Sequence, residues 1–237
     1  MTQGVIASLV ASVIFFLFGY GVAHAQRGLK LKALRAMWGP LIVHNRLTVV
    51  VSTHPGPHSR STARVSLNEM TAFVALSEAV KGLGCAVAVV DGKCRLGDVI
   101  DDDLVLMGGP AANDITAEVW QRIESRLPFS FDLDRMTLSV SGRTYVPKED
   151  QTGQLVRDYA LLIRVSDSLA SNRRVLLCSG CHGYGTLGAV VASIDRAFIG
   201  RLSKNLSNGQ DFCALLEVEI QQRAISPPQL REIFILA

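Results

Sequence analysis

Twice along the chain an apolar run enters a glycine-rich turn and leaves it as the start of a helix, and nothing else in the sequence narrows the fold as far. The first case is Asp103-Leu104-Val105-Leu106-Met107-Gly108-Gly109-Pro110-Ala111-Ala112-Asn113-Asp114-Ile115-Thr116. The second is Arg174-Val175-Leu176-Leu177-Cys178-Ser179-Gly180-Cys181-His182-Gly183-Tyr184-Gly185-Thr186-Leu187-Gly188-Ala189. Each reads as a buried strand, a tight turn and a helix start. Two such units, about 70 residues apart, predict one crevice made by two loops at the carboxyl ends of strands in an α/β sheet. This locates a site and names no reaction.

The rest of the chain supports a globular core. Of its 237 residues 49% are hydrophobic and 19% charged, and the formal net charge is only +3. That is enough apolar material for one large domain or two small ones. No Lys/Arg run is interleaved with aromatics, and no zinc-finger spacing occurs, so nucleic acid is not expected as a partner. The five cysteines (Cys85, Cys94, Cys178, Cys181 and Cys213) are odd in number and scattered. They do not form a disulfide framework, and suit a reducing compartment.

From Gly4 to Ala23 no side chain carries a charge at neutral pH. Some 20 residues at a rise of about 1.5 Å cover about 30 Å, the thickness of a bilayer core. No Lys or Arg precedes this run, whereas Arg27, Lys30, Lys32 and Arg35 follow it. By the positive-inside rule, residues 1–25 form a single-pass transmembrane anchor in the inner or plasma membrane, with the carboxyl-terminal domain in the cytoplasm. The alternative is export, with cleavage after Ala25, because Ala23-His24-Ala25 has a small-x-small form. Residues 26–45 are then a basic juxtamembrane linker, with Tyr20 and Trp38 near the interfaces, and residues 46–237 the α/β domain.

Within that domain, Leu47 to Thr53 reads as the first strand and His54 to Arg64 as a loop broken by Pro55 and Pro57. The prolines forbid the regular helix that would bring His54 and His58 together, so no metal is expected there. Ser66-Leu67-Asn68-Glu69 opens a helix with capping-box form, ending at Gly82-Leu83-Gly84. Cys85 to Val90 is the next strand. Asp101-Asp102-Asp103 precedes the first glycine-loop strand at its entry end, and is read as solvated turn rather than as a metal cluster. Asn113 or Asp114 caps the helix carrying Val119, Trp120 and Ile123. Phe129–Leu133, Met136–Val140 and Arg143–Val146 predict an antiparallel insertion. Tyr159–Val165, Phe212–Ile220 and a last strand from Ile233 to Leu236 join the sheet, and a helix runs from Thr186 to about Leu202. The fold expected is a Rossmann-like or flavodoxin-like mixed sheet with an antiparallel insertion, preceded by one transmembrane helix.

Three chemistries compete for the second loop. Cys178-Ser179-Gly180-Cys181-His182 matches the C-x-x-C-H form of c-type haem attachment. It completes a buried strand, and no methionine follows His182, so haem is disfavoured and no cofactor is expected. Zinc or thiol redox chemistry lacks a second cysteine pair or a helix opening on the motif. The third reading is a ligand loop. Gly180, Gly183 and Gly185 keep the turn small, Thr186 caps the helix, and His182 and Tyr184 stand ready to stack on or hydrogen-bond a base or sugar. Gly108, Gly109 and Asn113 face them from the first loop. There is no P-loop Gly-Lys-Ser/Thr and no G-x-S-x-G.

Three segments, DLVLMGGPAAN (Asp103–Asn113), DYALLIR (Asp158–Arg164) and VLLCSGCHGYGT (Val175–Thr186), resemble in this order an uncharacterised family of bacterial α/β domains. The resemblance covers about two thirds of the part after the anchor and implies a Rossmann-like domain with GGPxxN and HGYGT loops. In similar sequences the glycine loop lacks the cysteines, and the family implies no activity. The leading expectation is therefore a membrane-anchored sensing or binding module for a nucleotide or similar phosphate-bearing molecule. Two alternatives stay open: a hydrolase or transferase acting on a nucleotide, with His182 or Asp114 as acid/base, and an assembly domain at the membrane without a small ligand. A homo-oligomer is open as well.

Overall fold

The computed structural model describes residues 32–56, 59–166, 173–207 and 209–236. Its strands are β1 (Arg46–Val51), β2 (His54–Gly56), β3 (Ser59–Arg64), β4 (Ala86–Asp91), β5 (Asp103–Met107), β6 (Phe129–Asp132), β7 (Thr137–Val140), β8 (Arg143–Tyr145), β9 (Lys148–Glu149), β10 (Leu155–Ser166), β11 (Arg174–Gly180), β12 (Phe212–Gln221), β13 (Ala224–Ile225) and β14 (Gln229–Ile235). Its helices are α1 (Leu67–Lys81), α2 (Asp114–Ile123), α3 (Gly183–Ile194) and α4 (Arg196–Leu202). No helix among the described residues is long and apolar enough to cross a membrane. The span expected at 4–23 lies outside them.

The fold is a mixed α/β one. One sheet runs in the order β4-β1-β5-β11-β10-β12-β14, with β13 extending the pairing of β12 and β9 pairing β10. Strands β4, β1, β5 and β11 are parallel. From β11 outward, through β10 and β12 to β14, every pair is antiparallel. Alternation along β11 divides the core: Leu176 and Cys178 face one apolar cluster, Val175 and Leu177 the other. The first cluster takes α1, α3 and α4, the second α2 and the β6-β7-β8 meander. That meander, expected from its turn residues, forms a separate three-stranded sheet.

Four local expectations are corrected. Residues 32–38 are helical, and Leu34, Met37 and Trp38 among them pack into the core. Trp38 is fully buried and donates from Nε1 to the carbonyl of Ser193 at 2.8 Å, with Met37 and Leu41 beside it, so it is no interfacial anchor. The segment His54 to Arg64 is a hairpin of β2 and β3, not a loop. A two-stranded hairpin has only edge strands, which tolerate proline.

Asp103 is not a solvated turn residue. It is 1% exposed, and its carboxylate binds His44 Nδ1 at 2.8 Å and accepts from the amide of Arg174 at 3.0 Å. Asp102 accepts from Thr48 Oγ1 at 2.6 Å. These acids tie the entry ends of β1, β5 and β11 together. The helix expected from Thr186 to Leu202 starts earlier and breaks at Asp195, whose extended backbone ends α3 and whose Oδ1 caps α4 through the amide of Phe198.

Candidate functional site

The carboxyl ends of β1, β5 and β11 open into a cleft of about 230 Å³. Both glycine loops line it: Gly108 and Gly109 on one side, Gly180, His182, Gly183 and Thr186 on the other. His54 after β1, Ser66 and Glu69 at the start of α1, and Phe131 and Met136 of the meander complete the walls. The two-loop crevice expected from the sequence is present, and the antiparallel insertion helps to wall it.

The first loop is set by a steric requirement. Gly108 has φ +99°, and a β-carbon there would overlap Ser52 Oγ. Ser52 Oγ in turn donates to the carbonyl of Met107 at 3.0 Å. Asn113 is fully buried: Oδ1 accepts from the Thr116 amide at 3.0 Å, and Nδ2 donates to the Met107 carbonyl at 3.1 Å. It is the cap of α2, one of the two residues expected in that place, with its polar atoms spent on the protein instead of offered to the cleft. Asp114 is exposed and paired with Lys93 Nζ at 2.6 Å, outside the cleft lining.

The second loop is closed by a residue the sequence reading did not single out. Asp158, on the neighbouring β10, is fully buried. Its Oδ2 accepts from the amides of His182 at 3.1 Å and Gly185 at 2.6 Å, and its Oδ1 from the amide of Tyr159 at 2.8 Å. Burial pushes this carboxyl above its ordinary value, while the amides of Gly185, Tyr159 and His182 and the charge of His182 pull the other way. Thr186 does not cap α3. Its Oγ1 accepts from the Gly180 amide at 3.2 Å, and its own amide donates to the carbonyl of His182, also at 3.2 Å. Two of the amides that would greet a phosphate at this helix terminus are therefore held by Asp158, and a third by the helix's own first turn.

Gly180 packs against that turn so closely that a β-carbon would overlap the Thr186 amide. Gly185 approaches the carbonyl of Tyr159 on β10 and does not line the cleft. Gly183 is different: a β-carbon there would meet nothing nearer than Asn68 Nδ2 at 3.5 Å. Tyr184 faces away from the cleft, into a second hollow of about 450 Å³ between the β9–β10 turn and the β12–β13 turn. His182 borders both hollows.

Cys178 and Cys181 are both fully buried and lie in opposite core clusters, on opposite faces of the sheet. Burial pushes both thiols up from their ordinary range, with Asp158 adding to the effect at Cys181. In this arrangement the two sulfurs present no common face to a porphyrin or a metal ion. Among the described residues no group of three or more His, Cys, Asp or Glu is placed to hold a metal.

Among the described residues Glu69 is the one acidic group that lines the cleft. It is 5% exposed, and its Oε2 accepts from Ser66 Oγ at 3.1 Å and more weakly from the Ser66 amide at 3.4 Å. Oε1 accepts no hydrogen bond among the described residues, and it lies 3.2 Å from where a β-carbon on Gly108 would be. The capping-box spelling Ser66-x-x-Glu69 was the signal for this residue, but it predicts a helix cap and is silent about the unused oxygen. Among the described residues, no Lys or Arg lines the cleft.

No protein-family model and no curated protein sequence matches this chain.

Proposed function

We propose that the protein is a ligand-binding module whose cleft takes a small molecule rich in hydrogen-bond donors, and that a nucleoside is the part of the expected nucleotide that suits it. The observation that carries this reading is Oε1 of Glu69, which accepts no hydrogen bond among the described residues and belongs to a residue lining a cleft between two glycine loops. A carboxylate oxygen that the protein leaves without a donor is open to a ligand hydroxyl or amine, and such a charge-assisted bond is a strong one. The cleft is also small. About 230 Å³ lies below the ~300–1,000 Å³ typical of drug-sized ligands, and leaves no room for a dinucleotide. A phosphate would meet a carboxylate and, among the described residues, no Lys or Arg.

The order of the parallel strands supports the location. Numbered by appearance they run second, first, third, fourth, which is the beginning of the flavodoxin-like doubly wound order. In such sheets ligands bind outside the carboxyl ends at the switch point, here between β1 and β5, where Glu69 and Gly108 meet. The membrane anchor at 4–23, with the domain on the cytoplasmic side, is part of the same proposal and rests on the uncharged run and the basic residues after it.

The test is thermal unfolding of the full chain with adenosine, guanosine, cytidine and uridine, each beside its 5′-monophosphate. Binding to the native state raises the midpoint by mass action. A nucleoside is expected to raise it at least as much as its monophosphate. Glu69→Gln, which can still form a capping box, is expected to keep the unliganded midpoint and lose the rise. Gly183→Val, with its branched side chain at the cleft wall, should lose it too. A rise confined to the phosphorylated ligands, or one that Glu69→Gln leaves intact, overturns the reading.

A further inference from the structure

At the opposite end of the sheet, where Ser166 of β10 pairs with Arg174 of β11, lies a larger groove of about 460 Å³. Met37, Ile199, Leu202 and Leu206 form its apolar walls. Lys32 and Arg35 stand exposed at its edge, and neither is ion-paired among the described residues.

Beneath them sits Arg164, 2% exposed and stacked over the Phe212 ring at 5.1 Å. Its guanidinium donates to the carbonyl of Gln210 at 2.7 Å and 3.2 Å and to that of Met37 at 3.0 Å. Among the described residues no carboxylate accepts from it. Oδ2 of the nearby Asp211 accepts from the amide and hydroxyl of Ser166, each at 2.8 Å, and from Arg126 at 3.2 Å, while Oδ1 lies 3.7 Å from Arg174 Nη1. Burial, and then Arg174, lower the Arg164 pKa to about 10, which leaves it charged at neutral pH. The groove thus joins apolar walls to three cations, and among the described residues no Asp or Glu lines it.

We propose that this groove binds the acyl chain of an acidic lipid, with the anionic headgroup on Lys32 and Arg35. Charge complementarity selects this occupant. The chain's own preceding segment carries Arg27 and Lys30, more positive charge against a positive rim. An uncharged apolar ligand would leave Lys32 and Arg35 at the rim without a partner. The place also suits a lipid: residue 32 follows the end of the uncharged run at Ala23 by nine residues. Fully extended, such a segment spans at most about 30 Å. The volume falls within the ~300–1,000 Å³ range of pockets that enclose small organic ligands. The site is separate from the cleft and does not rest on what the cleft binds.

The experiment reconstitutes the full chain in phosphatidylcholine vesicles with and without phosphatidylglycerol and follows unfolding by tryptophan fluorescence. Phosphatidylglycerol is expected to raise the midpoint by about 3–6 °C, as occupancy of a specific site does. The double variant Lys32→Glu, Arg35→Glu, at exposed positions, should unfold like the parent in phosphatidylcholine and lose the rise. Leu206→Trp, which fills the groove while leaving the rim charges, should lose it as well; if that variant folds poorly, the double variant decides. Equal midpoints in the two vesicles overturn the proposal. So does a rise retained by both variants, which would make it an effect of membrane charge elsewhere on the chain. Inorganic phosphate added to phosphatidylcholine vesicles should do nothing. A rise with phosphate alone would mean an anion site without an acyl chain, and would also overturn it.

Discussion

The two glycine loops begin alike and are closed in different ways. The loop after β5 closes on itself: Asn113, three residues before the amide it accepts from, caps α2 and ties back to Met107. The loop after β11 is closed from outside, by Asp158 on the adjacent antiparallel strand, 24 and 27 residues from the amides it holds. One spelling, strand then glycines then helix, therefore hides two mechanical arrangements. The first is a self-contained turn. The second is a three-element joint of β10, β11 and α3, and it has spent on the protein itself part of what a helix start offers to an anion.

The comparison is broken most directly at Asp158. Asp158→Ala leaves buried amides of Tyr159, His182 and Gly185 without their acceptor and is expected to cost about 4 kcal/mol in urea unfolding. Asp158→Asn keeps an acceptor oxygen and should cost about half as much. The pH dependence has a definite sign. A carboxyl raised by burial from its ordinary 3.8 binds more protons folded than unfolded between the two values. Its protonation thus adds stability that is complete below 3.8 and is lost as the pH rises through the folded value. The wild type's margin over Asp158→Asn should therefore shrink between pH 4 and pH 7. A margin that grows over that interval would mean that the three amides outweigh burial and hold the carboxyl ionised.

The next effect is expected at Gly180. A β-carbon there overlaps the Thr186 amide, which belongs to backbone and cannot rotate away. Gly180→Ala should cost about 3 kcal/mol in the same measurement. Asn113→Ala is expected to cost less, about 2 kcal/mol, the upper range for loss of a helix cap, because its amide also braces Met107. If Asn113→Ala proves worse than Asp158→Ala, the self-contained loop is the more critical of the two.

What the sequence made legible follows the same division. Features carried by neighbours in the chain were readable: β5 and β11 from their apolar runs, the meander from Asp134-Arg135 and Ser141-Gly142, the Asn113 cap, and the Ser66–Glu69 box. Features that depend on which strands lie side by side were not. Asp103 looks like one of three solvated acids until β11 places the Arg174 amide against it. Trp38 follows a basic stretch, as an interfacial anchor would, and becomes core because α3 brings the Ser193 carbonyl to its indole. Glu69 is visible as a cap, but its free oxygen becomes a site feature only when Gly108 of β5 lies beside it. Thr186 was the local choice of cap for α3, and a remote carboxylate took the role.

The smallest predicted effect is the one that tells a structural loop from a binding loop. Gly183 opens α3, has no positive φ, and a β-carbon there makes only ordinary contact with Asn68. Gly183→Ala should therefore leave urea stability within about 0.5 kcal/mol of the parent, or raise it slightly by restricting the unfolded chain. Gly180, three residues earlier, cannot accept the same methyl group. The two glycines stand in one turn, and for only one of them does the protein itself supply the reason for glycine. Gly183 lines the cleft wall. If Gly183→Ala is neutral in stability and yet weakens the nucleoside-dependent rise in midpoint, the space above this residue belongs to the ligand. If it destabilises as much as Gly180→Ala, the whole loop is a packing device, and the difference drawn between its glycines is wrong.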